Sequence, residues 1–191
     1  MLTAHDKLEK DLDILEAMAD GMADYLKSDI LFGKLAFGDM PMLTLGGYLM
    51  RQHRLFNLSH LLTSPDAARL ETAVFQFNQA LVEKIVRLEA KANKELDARL
   101  RQVDEYLRDL QNKKAAGMNY ATAVEPRAMI AALIHKLEMP PYHLDERIPQ
   151  RVDLLDRNLR RRWSPGDFVW AEEWQPAYPL DEYWWLYGRP T

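Results

Sequence analysis

The chain has 191 residues, of which 48% are hydrophobic and 28% are charged, and its formal net charge is −4. This profile is typical of one globular core, and the acidic balance argues against a protein whose whole surface binds nucleic acid. The sequence contains no cysteine, which excludes disulfides, thiol nucleophiles and cysteine-ligated metals. The first residues contain no apolar block and no apolar run is long enough to cross a bilayer, so we expect a cytoplasmic protein without a signal peptide or membrane insertion.

The N-terminal part of the chain predicts a first amphipathic helix. Thr3 and Asp6 have the spacing of a helix start. Apolar residues then recur every three or four positions, which predicts a helix over residues 4–27. Residues 28–42 follow as an irregular apolar connection that contains glycine and proline, and we expect this connection to pack over one end of a helical bundle.

A second helix is predicted over residues 44–62, with Thr44 as its N-cap. Gly46 and Gly47 lie in its first turn. Glycine at this place allows close approach of either another helix or a ligand, and we favour helix packing. The alternative is a ligand pocket at residues 46–53, next to Tyr48 and His53.

The longest predicted helix lies at the centre of the chain, over about residues 64–117. Ser64 suits its N-cap and Pro65 its first turn, whereas Gly117 suits its C-terminal cap. No glycine or proline interrupts the residues between these ends. At 1.5 Å per residue, such a helix would be about 75 Å long.

The second half of this helix has a narrow apolar stripe with the heptad spacing of a coiled coil. The stripe consists of Asn93, Leu96, Leu100, Val103, Leu107 and Leu110. These side chains require burial, either by a second copy of the chain or by later helices of the same chain. The first alternative predicts a homodimer with this stripe as its interface, and a buried Asn would fix its register.

Two shorter helices are predicted after the long one, over residues 126–138 and 149–163, each with a proline near its start. The turn at residues 164–167 marks a boundary. The predicted fold is therefore an all-α, antiparallel helical bundle with a long helical arm over residues 1–163, followed by an aromatic, proline-containing tail over residues 164–191.

The tail is unusually rich in aromatic residues for an extended segment, whereas disordered tails are poor in them. We therefore expect it to dock on the bundle or on a partner. The residues expected to mediate docking are Phe168, Trp170, Trp174, Trp184, Trp185 and Tyr187.

Residues 147–162 form the one clearly basic segment, with six arginines and two aspartates. The tail that follows is acidic, so we expect the arginines at 157–162 to pair with carboxylates of the tail across the turn. Nucleic-acid binding through residues 147–163 is the alternative, with Trp163 available to stack on a base.

No motif in the sequence indicates chemistry. The His spacings of helical metal sites, the glycine-rich nucleotide motifs and the nucleophile elbow are all absent. We therefore predict no catalytic residue, no metal and no cofactor.

Three functions remain as hypotheses. The leading one is a non-enzymatic interaction or assembly protein that self-associates through the long helix. The second is a small-ligand-binding or enzymatic bundle with a pocket near residues 46–53. The third is a nucleic-acid binder that uses the basic segment.

Overall fold

A computed structural model describes residues 3–36, 38–112 and 119–191 of the chain. Within these ranges the fold is all-α, as predicted, apart from a short two-stranded sheet. The helices are α1 (Ala4–Lys27), α2 (Leu45–Asn57), α3 (Ser64–Leu81), α4 (Ile85–Gln111), α5 (Tyr120–Ala123), α6 (Glu125–Glu138) and α7 (Arg147–Arg160). The strands are β1 (Trp163–Phe168) and β2 (Tyr187–Pro190). No helix of these ranges is both long enough and apolar enough to cross a membrane.

Local sequence signals determine the first helix as predicted. The Thr3 hydroxyl accepts a hydrogen bond from the Asp6 amide at 3.1 Å, and the Asp6 carboxylate accepts one from the Thr3 amide at 2.8 Å. This reciprocal capping satisfies two amides that the first turn would otherwise leave unpaired. The predicted bounds of α1, residues 4–27, are confirmed.

The second helix is shorter than predicted. It begins after its N-cap Thr44 but ends at Asn57, and a 3-10 helix, Ser59–Leu61, follows it. The Asn57 amide group donates a hydrogen bond to the carbonyl of His53 at 2.8 Å. Asparagine side chains that bond local backbone groups favour the end of a helix over its interior.

The predicted helix 64–117 is divided into α3 and α4 by a corner at residues 82–84. Glu83 has a φ of 60° there. A single continuous helix is therefore wrong, although α4 is long. The sequence contains no breaker at this point, so the cause is tertiary: α3 packs mainly on α1, whereas α4 packs mainly on α6 and α7. Helix α4 ends at Gln111, and the predicted cap Gly117 lies outside the described residues.

A buried lysine attaches α4 to the end of α1. The Lys91 ammonium donates hydrogen bonds to the carbonyls of Tyr25, Ser28 and Ile30 at 2.7, 2.8 and 2.7 Å. Carbonyls at the C-terminal end of a helix lack intrahelical partners and attract cations. This contact between α1 and α4 joins residues more than sixty positions apart.

The heptad stripe of α4 is covered by the same chain. Leu96, Leu100, Val103 and Leu107 are buried, and α6 and α7 pack on α4. Asn93 and Leu110 are half-buried. The first alternative, burial by a second copy, is therefore not needed, and the arm does not project from the bundle. Self-association stays a prediction, and it requires a surface other than this stripe.

The last part of the chain, residues 163–191, is here called the C-terminal segment. Strands β1 and β2 pair antiparallel in it, with two 3-10 helices, Glu172–Ala177 and Trp184–Leu186, between them. Gly188 has a φ of 139°, and a Cβ there would lie 2.2 Å from the Ser164 carbonyl oxygen. These strands were not predicted from the sequence. The predicted helix 149–163 is Arg147–Arg160, because Trp163 begins β1.

Candidate ligand-binding groove

A groove with a volume of about 540 Å³ lies between α2, α6 and the C-terminal segment. Its walls combine polar and charged side chains, such as Arg127 and Lys136, with apolar and aromatic ones. The apolar and aromatic side chains include Leu49, Phe56, Ala131, Ile134, Tyr183 and Trp185. Pockets of about 300–1,000 Å³ with apolar walls and a few polar groups are typical of small-molecule sites. The groove lies beside the part of α2 in which the sequence analysis placed a possible ligand pocket.

Helix α2 packs closely against α4 next to the groove. The Gly46 amide donates a hydrogen bond to the Glu95 carboxylate at 2.9 Å. The same carboxylate accepts two hydrogen bonds from Arg99 at 3.1 Å, and Glu95 is fully buried. Gly46 does not line the groove. Its role as a helix-packing glycine, which we favoured from the sequence, is confirmed.

His53 attaches the C-terminal segment to α2 at the edge of the groove. Its Nε2 lies 2.8 Å from the carbonyl oxygen of Ala177, so Nε2 carries the hydrogen and donates it. The Tyr183 hydroxyl lies 3.4 Å from the same nitrogen. Burial lowers the pKa of His53, and burial raises the pKa of Tyr183 to about 12. Both side chains are therefore neutral near pH 7, which suits a site for an uncharged ligand.

A second anchor of the C-terminal segment lies one residue further along α2. The Arg54 guanidinium donates to Asp11 at 2.6 Å and to the Tyr178 hydroxyl at 3.2 Å. It also stacks on the Trp174 ring, 3.5 Å from the ring centroid. Arg54, Asp11 and Tyr178 are buried. A buried cation is tolerated when a carboxylate and further hydrogen bonds compensate its desolvation.

Two buried polar atoms on residues that line the groove have no hydrogen-bond partner within the described part of the chain: Oε1 of Gln52 and Nε1 of Trp185. Trp185 is only 4% exposed. A buried polar group without a partner costs about 1–3 kcal/mol, so native proteins rarely retain one without a reason. One atom is an acceptor and the other is a donor. Both atoms are covered by protein, so a molecule in the groove would reach them only after a shift of the Gln52 and Trp185 side chains.

Arg127 holds Trp185 in place. Its guanidinium lies 3.7 Å from the centroid of the indole ring. The same guanidinium donates two hydrogen bonds to the Asp156 carboxylate, at 2.9 and 2.8 Å. The planar fork of an arginine can make both contacts at once. The indole at the groove wall is therefore fixed by α6 and, through Asp156, by α7.

Comparisons with models of protein families, with curated proteins and with solved structures found no match.

The six residues predicted to mediate docking contact both the helices and one another. Trp170 donates from Nε1 to the Ala121 carbonyl at 2.7 Å. Trp184 lies under the Arg160 guanidinium, which is 3.9 Å from its ring centroid. Phe168 packs against Tyr187, with 5.2 Å between the ring centroids. Of the six predicted residues, only Trp185 lines the groove.

The rim of the groove carries His135 and two carboxylates, Glu138 and Glu182. In residues 3–36, 38–112 and 119–191, no group of three or more histidine, aspartate or glutamate side chains is suited to hold a metal ion.

The arginines at 157–162 do not pair as predicted. Between described residues, no ion pair joins Arg157, Arg160, Arg161 or Arg162 to a carboxylate of the C-terminal segment. Glu173 instead pairs with Lys7 of α1 at 2.9 Å, because the segment folds back over α1 and α2. The predicted pairing is wrong, and nucleic-acid binding through residues 147–163 stays a prediction.

The predicted pocket range, residues 46–53, includes the groove residues Gln52 and His53 but not Trp185. Trp185 was predicted to dock the tail, and nothing in its local sequence indicates a ligand site. Arg127 is fifty-eight positions from Trp185, so their contact has no local signal either. A groove formed by three distant elements becomes visible only when those elements are packed together.

Proposed function

We propose that this protein binds a small, uncharged, planar heteroaromatic molecule in the groove between α2, α6 and the C-terminal segment. The observation that carries the proposal is a pair of groove-lining side chains whose buried polar atoms, Oε1 of Gln52 and Nε1 of Trp185, have no partner in the described residues. A ligand with one hydrogen-bond donor and one acceptor, such as a cyclic amide or a nucleobase, would satisfy both atoms once the two side chains shift to present them to the groove.

The aromatic side chains in the groove walls favour a planar ligand. Phe56 on α2 and Tyr183 and Trp185 on the C-terminal segment provide aromatic surface, and aromatic rings pack well against one another. The volume of about 540 Å³ fits a molecule of drug or cofactor size. A neutral ligand is favoured because Gln52, His53, Tyr183 and Trp185 are uncharged, and the charge of the buried Arg127 is already paired with Asp156.

The first experiment measures binding of defined probes by calorimetry. A bicyclic lactam carries the required N–H and C=O groups, and its N-methylated derivative lacks the donor. We expect the lactam to bind at least about fivefold more tightly than the methylated derivative, because methylation leaves the Gln52 acceptor unpaired. In the variant Gln52→Leu this difference should disappear. If it persists in Gln52→Leu, Gln52 does not contact the probe.

A matched pair of tryptophans gives the control. Trp185 and Trp174 both have a buried Nε1 without a partner in the described residues, but only Trp185 lines the groove. We expect Trp185→Phe to weaken lactam binding at least about fivefold and Trp174→Phe to leave it unchanged. Equal losses in the two variants would indicate a general loss of structure and would contradict the proposed site.

A further inference from the structure

The corner between α3 and α4 is a strained break in an otherwise continuous helical sequence. Glu83 has a φ of 60°, a left-handed conformation that L-residues with a side chain adopt reluctantly. The corner, residues 82–84, contains no glycine and no proline. Its local preference is therefore for one straight helix over residues 64–111, and only tertiary packing bends it.

Exposed apolar side chains lie on both sides of this corner. Phe75 is 63% exposed, Val82 55% and Val86 80%, with Ile85 beside them at 40%. At about 100° per residue, Phe75, Val82 and Val86 would fall within about 40° of one another on a straight helix. They form one apolar stripe only when the corner is straight. Such a stripe would require a covering surface.

The chain divides at the corner into two halves, which we call the N half (residues 3–81) and the C half (residues 85–191). The contacts between the halves are buried and specific, and they do not involve the corner. Gly46 bonds Glu95, His53 bonds Ala177 and Arg54 bonds Tyr178. Each of these contacts can form equally well between the N half of one chain and the C half of another.

We propose that the protein also forms a dimer by exchanging halves at this corner. In the dimer, each chain has one straight helix over residues 64–111, and its N half packs on the C half of the second copy. The two straight helices run antiparallel, so that Phe75 of one copy faces Val86 of the other and the exposed stripes cover each other. The exchange relieves the left-handed Glu83 and preserves the contacts between halves, which is the usual basis of domain swapping.

The first test changes only the conformational preference of the corner. Glu83→Ala and Glu83→Gly both remove the carboxylate, but alanine favours a straight helix and glycine tolerates a φ of 60°. We expect sedimentation velocity to give a dimer dissociation constant at least about tenfold lower for Glu83→Ala than for Glu83→Gly. If both variants and the unmodified protein stay monomeric up to millimolar concentration, the proposal is wrong.

The second test distinguishes exchange from simple association of folded monomers. Lys7 of the N half pairs with Glu173 of the C half at 2.9 Å, and a carbodiimide converts such a pair into an amide bond. Chains labelled with ¹⁴N and ¹⁵N are refolded together, and the dimer fraction of Glu83→Ala is cross-linked and digested.

We expect Lys7–Glu173 peptides that join one light and one heavy chain. The same linked peptides should be absent in a Lys7→Arg background, because arginine does not form the amide. If the dimer fraction contains this link only within single chains, the halves are not exchanged and the proposal is overturned.

Discussion

A single glycine determines how closely α2 approaches its neighbours. A Cβ at Gly46 would lie 2.7 Å from Oε1 of Glu95 and 3.0 Å from the Cβ of Met129. The Glu95 carboxylate cannot move freely, because it is fully buried and held by Arg99. The glycine therefore contributes the space for the contact of α2 with α4 and α6, on which the groove depends.

We predict that Gly46→Ala lowers the free energy of unfolding by about 1–3 kcal/mol, as overpacking of a tight interior does. This loss should appear although alanine has the higher helix propensity. Urea unfolding followed by circular dichroism measures it. Gly38→Ala is the control, since a Cβ at Gly38 meets no atom within 4 Å, and it should change stability by no more than about 0.5 kcal/mol. Equal stability of the two variants would show that the packing at Gly46 tolerates a methyl group.

At the scale of elements, the C-terminal segment covers the bundle beside α1 and α2. Its Ala177, Tyr178, Trp185 and Leu186 are buried. Without the segment, one side of the buried Arg54–Asp11 ion pair would be exposed to water. Arg54 would also lose its contacts with Trp174 and Tyr178. The segment thus stabilises the bundle as well as forming one wall of the groove.

We predict that a chain ending at Trp163 melts several degrees below the full chain or aggregates, because the deletion exposes apolar surface of α2 and α6. Differential scanning calorimetry measures the change. A chain that lacks only Thr191, which bonds the Arg162 carbonyl, should melt like the full chain. A Trp163-terminated protein with an unchanged melting temperature would mean that the segment contributes no stability.

At the scale of the whole molecule, the titratable side chain of His53 lies at the contact between the N half and the C half. His53 donates to Ala177 across this boundary. Burial lowers the pKa of His53 below the usual 6.5; the hydrogen bond to Ala177 and the charge of Glu182 oppose this effect, whereas His135 and Arg54 add to it. The unfolded chain therefore binds a proton at His53 more readily than the folded protein. The contribution of His53 to stability is complete above about pH 6.5 and is lost as the pH falls towards the lowered pKa.

We predict that the free energy of unfolding decreases from pH 7.5 to pH 5, and that His53→Gln reduces this slope. Urea unfolding at several pH values measures it. His60→Gln is the control, because His60 is exposed on the 3-10 helix after α2. If His53→Gln and the unmodified protein have the same slope, another group causes the pH dependence.

The groove is formed by residues of both halves. Gln52 and His53 lie in the N half, whereas Arg127, Tyr183 and Trp185 lie in the C half. In an exchanged dimer each groove would therefore be built from two chains. Ligand binding and dimer formation are separate proposals, but the ligand would contact both halves in either state.

Much of the helical architecture was predictable from the sequence. The capping pair Thr3 and Asp6 and the apolar spacing that follows determine α1, and the prolines near the starts of α6 and α7 place those helices to within a few residues. These signals are local, since a cap or a helical face depends on residues within one or two turns. Gly46, as a helix-packing glycine, and His53, beside a possible pocket, could be named from the sequence because both lie in one predicted helix.

Tertiary structure decided three features: the corner at residues 82–84, the burial of the heptad stripe by α6 and α7, and the groove. Leu81 and Leu88 continue one apolar stripe through the corner, so the local pattern is that of an unbroken helix. The bend forms because α3 and α4 bury their apolar faces against different helices, and that burial outweighs the strain at Glu83. Gln52 and Trp185 likewise became groove residues only through contacts between segments that lie far apart in the sequence, and no local pattern indicates such contacts.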